Sequence, residues 1–198
     1  MSEIKAVVFD CDGMINIEDR FSGRLARTYG ISTEKTSPFF KKQFQDCLVG
    51  AADLKEELAA VVEKWGWQKS IEELMQEWFD ERSNVIDMQF APVMQHLASR
   101  GVRRVLATNN EIYRTRFMLG RLPKDWFDEV FSSARVGARK PDRVFFDHIV
   151  KKMRVKPDET LFGDDDEENV QAAAAFGFRA ERYTGFDKFS ARMREYSF

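Results

Sequence analysis

The sequence has few residues that could cross-link the chain or bind a soft metal. It contains two cysteines and two histidines in 198 residues. Cys11 and Cys47 form neither a disulfide framework nor a spacing typical of a metal site, so we expect reduced thiols. A fold stapled by disulfides or by a structural metal is therefore not indicated, and a chain of this length can bury a core without either.

The sequence also lacks a strong charge of one sign and a long apolar run. Its formal net charge is -2, which gives no overall attraction to nucleic acid or to an anionic membrane. No stretch of about 18 apolar residues is present, and no basic segment followed by an apolar core opens the chain. We therefore expect a cytoplasmic protein with no nucleic-acid partner and no membrane partner, and the oligomeric state stays open between monomer and dimer.

Short apolar runs alternate with helical patterns over most of the chain. This alternation indicates parallel βαβ units in an α/β fold, a doubly wound, Rossmann-like parallel sheet with helices on both faces. The predicted strands are Ile4–Phe9, Arg103–Ala107 (which ends on Thr108), Glu129–Ser132, Thr160–Gly163 and Arg179–Tyr183.

A helical segment without strand signals interrupts this alternation after the first strand. Its predicted helices are Glu18–Tyr29, Ser37–Leu48, Ala51–Trp65 and Ser70–Phe79, and glycines separate them. Four short helices with tight connections predict a small helical bundle. We therefore expect a catalytic core formed by residues 1–16 and 88–198, with an inserted helical cap domain at 17–87.

Polar side chains follow the strands of the predicted sheet. They are Asp10 and Asp12, then Thr108, Asn109 and Asn110, then Lys140, and finally Asp164, Asp165 and Asp166. Taken singly, each group is better explained as a turn, a helix cap or a solvated loop charge. Four independent caps would not all fall at the carboxyl edge of one sheet, which is where α/β proteins bind ligands.

The chemistry of this set is consistent with a phosphate site. Carboxylates that meet from two strands repel each other unless a divalent cation lies between them, and oxygen ligands without histidine or cysteine indicate Mg²⁺. The Lys140 ammonium, the Thr108 hydroxyl and backbone amides would then bind a doubly charged group. Extended backbone would place Asp10 and Asp12 on one face with Cys11 turned away, so that one carboxylate attacks phosphorus while the other handles a proton.

In this order, these residues resemble the motifs of the haloacid dehalogenase superfamily. Asp10-Cys11-Asp12-Gly13 is similar to its first motif, Thr108 to its second and Lys140-Pro141 to its third. Asp164, Asp165 and Asn169 are similar to the acidic fourth motif. The resemblance extends over the whole chain, and the helical insertion looks like a C1-type cap. Met14 stands where the family more often has Thr or Val, which puts the local pocket shape in doubt.

The resemblance implies a role for each of these residues. Asp10 would be the nucleophile that forms an aspartyl-phosphate, and Asp12 would be the general acid and then the base. Mg²⁺ would be held by Asp10, the backbone carbonyl of Asp12, Asp164 and Asp165. Phosphate would be bound by Asp12, Gly13, Thr108, the Asn109 amide and Lys140.

The function expected from these motifs is Mg²⁺-dependent hydrolysis of a small phosphorylated metabolite, such as a sugar phosphate or a nucleotide. A phosphomutase shares all of this machinery and stays open as an alternative, as does a binding protein that has lost activity. Dehalogenation is disfavoured, because displacing halide requires neither Asp12 as an acid nor a metal. A signalling receiver domain is disfavoured by motif order, since the acidic pair comes last in this chain.

Overall fold

Five parallel strands form the central sheet of the protein. The computed structural model describes residues 2–196. The sheet is built from β1 (Ala6–Phe9), β4 (Arg103–Thr108), β5 (Glu129–Ser132), β6 (Thr160–Asp164) and β7 (Arg179–Arg182). Their spatial order is β5-β4-β1-β6-β7, with all neighbours parallel. The predicted doubly wound α/β sheet is confirmed.

Helices cover both faces of this sheet because its central strand is buried on both sides. Val7 and Phe9 enter one hydrophobic core, and Ala6 and Val8 enter the other, as the alternation of side chains along a strand requires. The first core is covered by α7 (Ala91–Ser99), α8 (Ile112–Arg121) and α12 (Phe186–Glu195). The second is covered by α10 (Arg143–Met153) and α11 (Glu167–Phe176), and a short helix α9 (Ser133–Val136) follows β5.

Six helices are inserted between the first strand and α7, where the sequence predicted four. They are α1 (Phe21–Tyr29), α2 (Thr33–Lys41), α3 (Gln43–Leu48), α4 (Leu54–Ala59), α5 (Val62–Trp65) and α6 (Ile71–Trp78). The predicted helix Ser37–Leu48 is divided because Lys42 has φ -124° and ψ -88°, outside the helical region. The predicted helix Ala51–Trp65 is divided at Val61, with φ -125°. These inserted helices bury their own hydrophobic core of aromatic and aliphatic side chains.

A two-stranded antiparallel ribbon connects the inserted helices to the sheet. It pairs β2 (Asn16–Glu18) with β3 (Asn84–Ile86). The prediction that a helix begins at Glu18 is therefore wrong, because Glu18 pairs with Asn84 in the ribbon. Three-residue strands are too short for an alternating pattern to be recognised, and the partners are far apart in sequence. Within residues 2–196, no helix combines the length and the apolar character that a membrane crossing requires.

Candidate active site

The carboxyl ends of β1, β4 and β6 bring the predicted acidic and hydroxyl side chains to one edge of the sheet. Asp10 directly follows β1, and its backbone N–H donates to the carbonyl of Gly163 in β6 at 2.9 Å. Thr108 and Asp164 are the last residues of β4 and β6. Because these strands are parallel, their ends meet at the same edge.

Three carboxylates converge at this edge. Oxygens of Asp10, Asp164 and Asp165 all lie within 4.8 Å of one another. Asp164 is fully buried, Asp10 is 7% exposed, and Asp165 is partly exposed. Residues from the two ends of the chain therefore form one acidic cluster.

Lys140 lies inside this cluster as its cationic partner. The ammonium Nζ donates to Oδ1 of Asp10 and to Oδ2 of Asp164, both at 2.6 Å, and the residue is only 2% exposed. Asn109 positions the backbone of Lys140 by accepting from its N–H at 2.9 Å and donating to its carbonyl at 2.8 Å. The side chain of Asn109 is thus committed to the loop that carries the lysine.

Burial and mutual repulsion set the electrostatics of the cluster. Burial raises the pKa of Asp10 well above its ordinary value, and Lys140 offsets this only in part. Burial, followed by the charge of Asp164, also raises the pKa of Asp165. For Lys140, burial alone would lower the pKa, but Asp10 and Asp164 outweigh burial and raise it. The cluster therefore favours additional positive charge.

Local hydrogen bonds orient Asp164 within the cluster. Its Oδ1 accepts from the Asp166 backbone N–H at 2.9 Å, and Nδ2 of Asn169 donates to Oδ1 and Oδ2 at 3.1 and 3.2 Å. Asp166 caps α11 by accepting from the Glu168 backbone N–H at 2.9 Å. The run of acidic residues is therefore divided between a cap and the cluster.

Gly13 permits the loop after β1 to approach Asp165 closely. Its φ is +90°, and a Cβ at this position would lie 2.2 Å from Oδ2 of Asp165. Glycine is required both by the left-handed backbone conformation and by the lack of room for a Cβ atom beside Asp165. Gly13 thus brings the loop after β1 directly against the acidic cluster.

The Asp12 carboxylate contacts a different set of side chains from that of Asp10. Arg114 of α8 donates from Nη2 to Oδ1 at 2.6 Å and from Nε to Oδ2 at 3.1 Å. Burial acts to raise the pKa of Asp12, but the Arg114 guanidinium outweighs it and lowers that pKa. Cys11, predicted to turn away from the site, lies in the core below the sheet edge.

Asn110 links Thr108 to Asp12. Its Nδ2 donates to Oγ1 of Thr108 at 2.6 Å and to Oδ2 of Asp12 at 3.0 Å. Thr108 is 3% exposed. The hydroxyl and the Asp12 carboxylate are therefore held in fixed relation by one amide.

Sequence reasoning identified the acidic cluster but missed the residues around Asp12. The sequence places Asn110 only among the polar residues after a strand. It assigns no role in the site to Asn16, Glu18, Asn84 and Arg114. The one signal for Arg114 was its position on the helix face that also carries the buried Thr115 and Met118. Otherwise Arg114, two positions before Arg116, is typical of an exposed helix surface.

The acidic cluster has the donor chemistry of a Mg²⁺ site. It offers carboxylate oxygens from three residues and contains no sulfur or imidazole ligand. Hard oxygen donors of this kind suit Mg²⁺, and Lys140 alone leaves the acidic cluster with excess negative charge. The residues present therefore fit the metal.

A cavity of about 610 Å³ lies between the inserted helices and the loop that precedes Lys140. Its lining is mostly hydroxyl, amide and cationic: Ser22, Thr33, Thr36, Ser37, Phe40, Lys41, Gln45 and Arg139. Arg139 also donates a hydrogen bond to Gln45 of α3. Arg139, which directly precedes Lys140 in the sequence, is the one lining residue that does not come from the inserted helices.

The chain belongs to the haloacid dehalogenase-like hydrolase family, whose sequence profile matches residues 4–177. It is 36% identical over 94 residues to the sesquiterpene phosphatase astK of Aspergillus oryzae. The aligned segment covers 46% of this chain and 47% of that protein. The match thus spans less than half the length of this relative. A phosphatase of Mycobacterium tuberculosis is 27% identical over 194 residues, covering 89% of this chain and 86% of that one.

A solved structure shows the same fold over nearly the whole chain. It is a HAD family enzyme from Bacteroides thetaiotaomicron, in complex with magnesium and inorganic phosphate. It superposes with a TM-score of 0.79 at 19% identity and covers 93% of this chain and 96% of that chain. At this identity, the similarity shows the fold alone.

Proposed function

We propose that this hydrolase removes phosphate from a small, polar phosphorylated metabolite of the cytoplasm. The observation that carries this proposal is the convergence of Asp10, Asp164 and Asp165 within 4.8 Å around a buried lysine. Two relatives are named as phosphatases, and the Bacteroides enzyme was solved with magnesium and phosphate. These names support the same reaction class.

In the first step, a carboxylate oxygen of Asp10 attacks phosphorus and the bond to the leaving oxygen breaks. Asp12, which must be protonated at this step although the Arg114 guanidinium lowers its pKa, gives its proton to that oxygen, so the product leaves as an alcohol and an aspartyl-phosphate remains. In the second step, water attacks phosphorus, its proton passes to Asp12, and phosphate is released with Asp10 restored. Two carboxylates in different surroundings can divide these roles.

Mg²⁺ would be held by the carboxylates of Asp10, Asp164 and Asp165 and by the backbone carbonyl of Asp12. It would supply positive charge that stabilises the transferring phosphoryl group. The Lys140 ammonium would neutralise further charge, and the Thr108 hydroxyl with the backbone amide of Asn109 would bind phosphate oxygens. This assignment keeps the nucleophile ionised although burial raises its pKa. The backbone N–H of Gly13, also expected to bind phosphate, instead donates to the carbonyl of Asn16 at 2.9 Å.

We assign residues 17–87 as a C1-type cap that supplies the substrate pocket over a core of residues 1–16 and 88–198. We take the cavity between the inserted helices and Arg139 as the place for the leaving group; it carries Lys41 and Arg139 among hydroxyl and amide side chains, with Phe40 as its one aromatic. Such a lining favours a hydrophilic leaving group, for example a sugar or polyol, over an apolar chain. The activity named for the Aspergillus relative would require a more apolar pocket than this one.

The test is phosphate release from a panel of sugar, polyol, nucleoside and prenyl monophosphates with Mg²⁺. We expect turnover of a polar member, loss of activity in EDTA, and loss in Asp10→Asn. Lys41→Ala, an exposed change in the cavity wall, should raise KM for that polar substrate more than it lowers kcat.

Three results would contradict parts of the proposal. Full turnover by Asp10→Asn would exclude Asp10 as the nucleophile, and preference for a prenyl phosphate would exclude the polar substrate class. A phosphomutase would move phosphate between positions of one sugar and release little of it, which would replace hydrolysis as the reaction.

A further inference from the structure

Arg114 is a buried arginine that directs its donors at Asp12. It is 4% exposed, and it binds both oxygens of the Asp12 carboxylate, at 2.6 and 3.1 Å. The Asp12 side chain itself is 24% exposed. The arginine is thus enclosed while the carboxylate that it holds keeps an open side.

The same guanidinium also reaches both strands of the ribbon. Nη2 of Arg114 donates to Oε2 of Glu18 in β2 at 2.7 Å and to Oδ1 of Asn84 in β3 at 2.9 Å. Asn16, which opens β2, adds a hydrogen bond from Nδ2 to Oδ1 of Asp12 at 2.8 Å. One planar side chain therefore joins Asp12 to the two connections between the sheet and the inserted helices.

Stability alone does not account for this arrangement. A buried ion pair often adds little to stability, because the desolvation of both partners offsets their attraction. The planar guanidinium fixes direction as well as distance, which lysine cannot do. Arg114 holds the carboxylate that must aim a proton at the leaving oxygen, so orientation is the property that this contact controls.

We infer that Arg114 is a positioning residue that orients Asp12 for proton transfer and ties that orientation to the β2–β3 ribbon. The inference rests on the proposed phosphatase function. When Arg114 is replaced, Asp12 keeps its hydrogen bonds from Asn16 and Asn110 but loses the two-point contact with the guanidinium that fixes the plane of its carboxylate. The attack by Asp10 then proceeds with less proton donation to the leaving oxygen.

The dependence of the rate on the leaving group tests this role. In p-nitrophenyl phosphate the leaving oxygen needs little protonation, whereas in phenyl phosphate it needs much more. For Arg114→Met we expect kcat/KM to fall at least about tenfold further for phenyl phosphate than for p-nitrophenyl phosphate, since general acid catalysis contributes on the order of 10²–10⁴. Arg114→Lys should retain part of the phenyl phosphate activity.

Arg121→Met is the matched control on the same helix. Arg121 donates to the carbonyl of Asn84 at 2.9 Å and pairs with Glu81 at 2.9 Å, so it also reaches the ribbon but does not contact Asp12. We expect this variant to leave the ratio of the two kcat/KM values unchanged. Thermal unfolding followed by circular dichroism reports whether each variant is folded.

The outcomes separate this inference from the proposed function. If folded Arg114→Met and Arg114→Lys lost kcat/KM equally for both substrates, so that the ratio of the two values stayed unchanged, the inference would be overturned. The same change of ratio in Arg121→Met would overturn it as well. A wild-type protein without phosphatase activity, or an active Asp10→Asn, would instead contradict the proposed function.

Discussion

Replacing Lys140 by methionine tests the charge balance of the acidic cluster. The Lys140 ammonium is the cationic partner of Asp10 and Asp164, whose side chains are 9% and 0% exposed. Methionine keeps most of the volume but leaves two buried carboxylates without that partner. Removing one member of a buried ion pair costs about 3–5 kcal/mol, so we expect the free energy of unfolding to fall by about that amount at neutral pH without Mg²⁺.

The destabilisation should depend on pH in a defined direction. Burial already raises the pKa of Asp10 above its ordinary value, and without Lys140 that pKa should rise further. A carboxyl group whose pKa is higher in the folded than in the unfolded state destabilises the fold above its folded-state pKa, and this penalty is lost as the pH falls from that pKa to the unfolded-state value. The difference in stability between Lys140→Met and wild type should therefore shrink as the pH falls.

Urea unfolding followed by circular dichroism measures the difference in unfolding free energy between Lys140→Met and wild type from about pH 5 to pH 8, where carboxyl groups with raised pKa values titrate. Added Mg²⁺ should restore part of the lost stability, because a bound cation stabilises the folded state. Lys151→Met is the control, since Lys151 is 75% exposed and pairs only with Asp147 on the surface; we expect it to cost under about 1 kcal/mol. A similarly small loss for Lys140→Met, or one insensitive to both pH and Mg²⁺, would refute the reasoning.

Three further substitutions test other parts of the site. Asp10→Asn removes one crowded carboxylate while Asp164 still pairs with Lys140, so without Mg²⁺ the free energy of unfolding should rise, whereas Mg²⁺ affinity measured by calorimetry should fall. A less stable variant would contradict the raised pKa of Asp10. Gly13→Ala should destabilise by about 1–3 kcal/mol in thermal melts and weaken Mg²⁺ binding, because its Cβ would collide with Asp165; unchanged binding would argue against the close approach. Asp166→Ala should cost about 1 kcal/mol through loss of the helix cap and leave kcat unchanged, so a large loss of turnover would show that Asp166 does more than cap α11.

Local patterns in the sequence determined the sheet and the acidic cluster. The continuous apolar run at Ala6–Phe9 is typical of a strand buried on both faces, and the helical patterns between strands indicate parallel connections. Parallel strands place their carboxyl ends at one edge, so Asp10 and Asp164 were predicted to share that edge, and the pairing of β1 with β6 makes them neighbours. The helix cap at Asp166 follows from its position before a helical run.

Only the tertiary structure decided what surrounds Asp12 and how the inserted helices are divided. Arg114 follows Asp12 by 102 positions, and Glu18 and Asn84 are separated from Arg114 by 96 and 30 positions. Contacts over such distances depend on how the helices and the β2–β3 ribbon pack together, which no local period encodes. The sequence by itself determined where the acids lie, because strand ends are local features, whereas packing decided which side chains orient them.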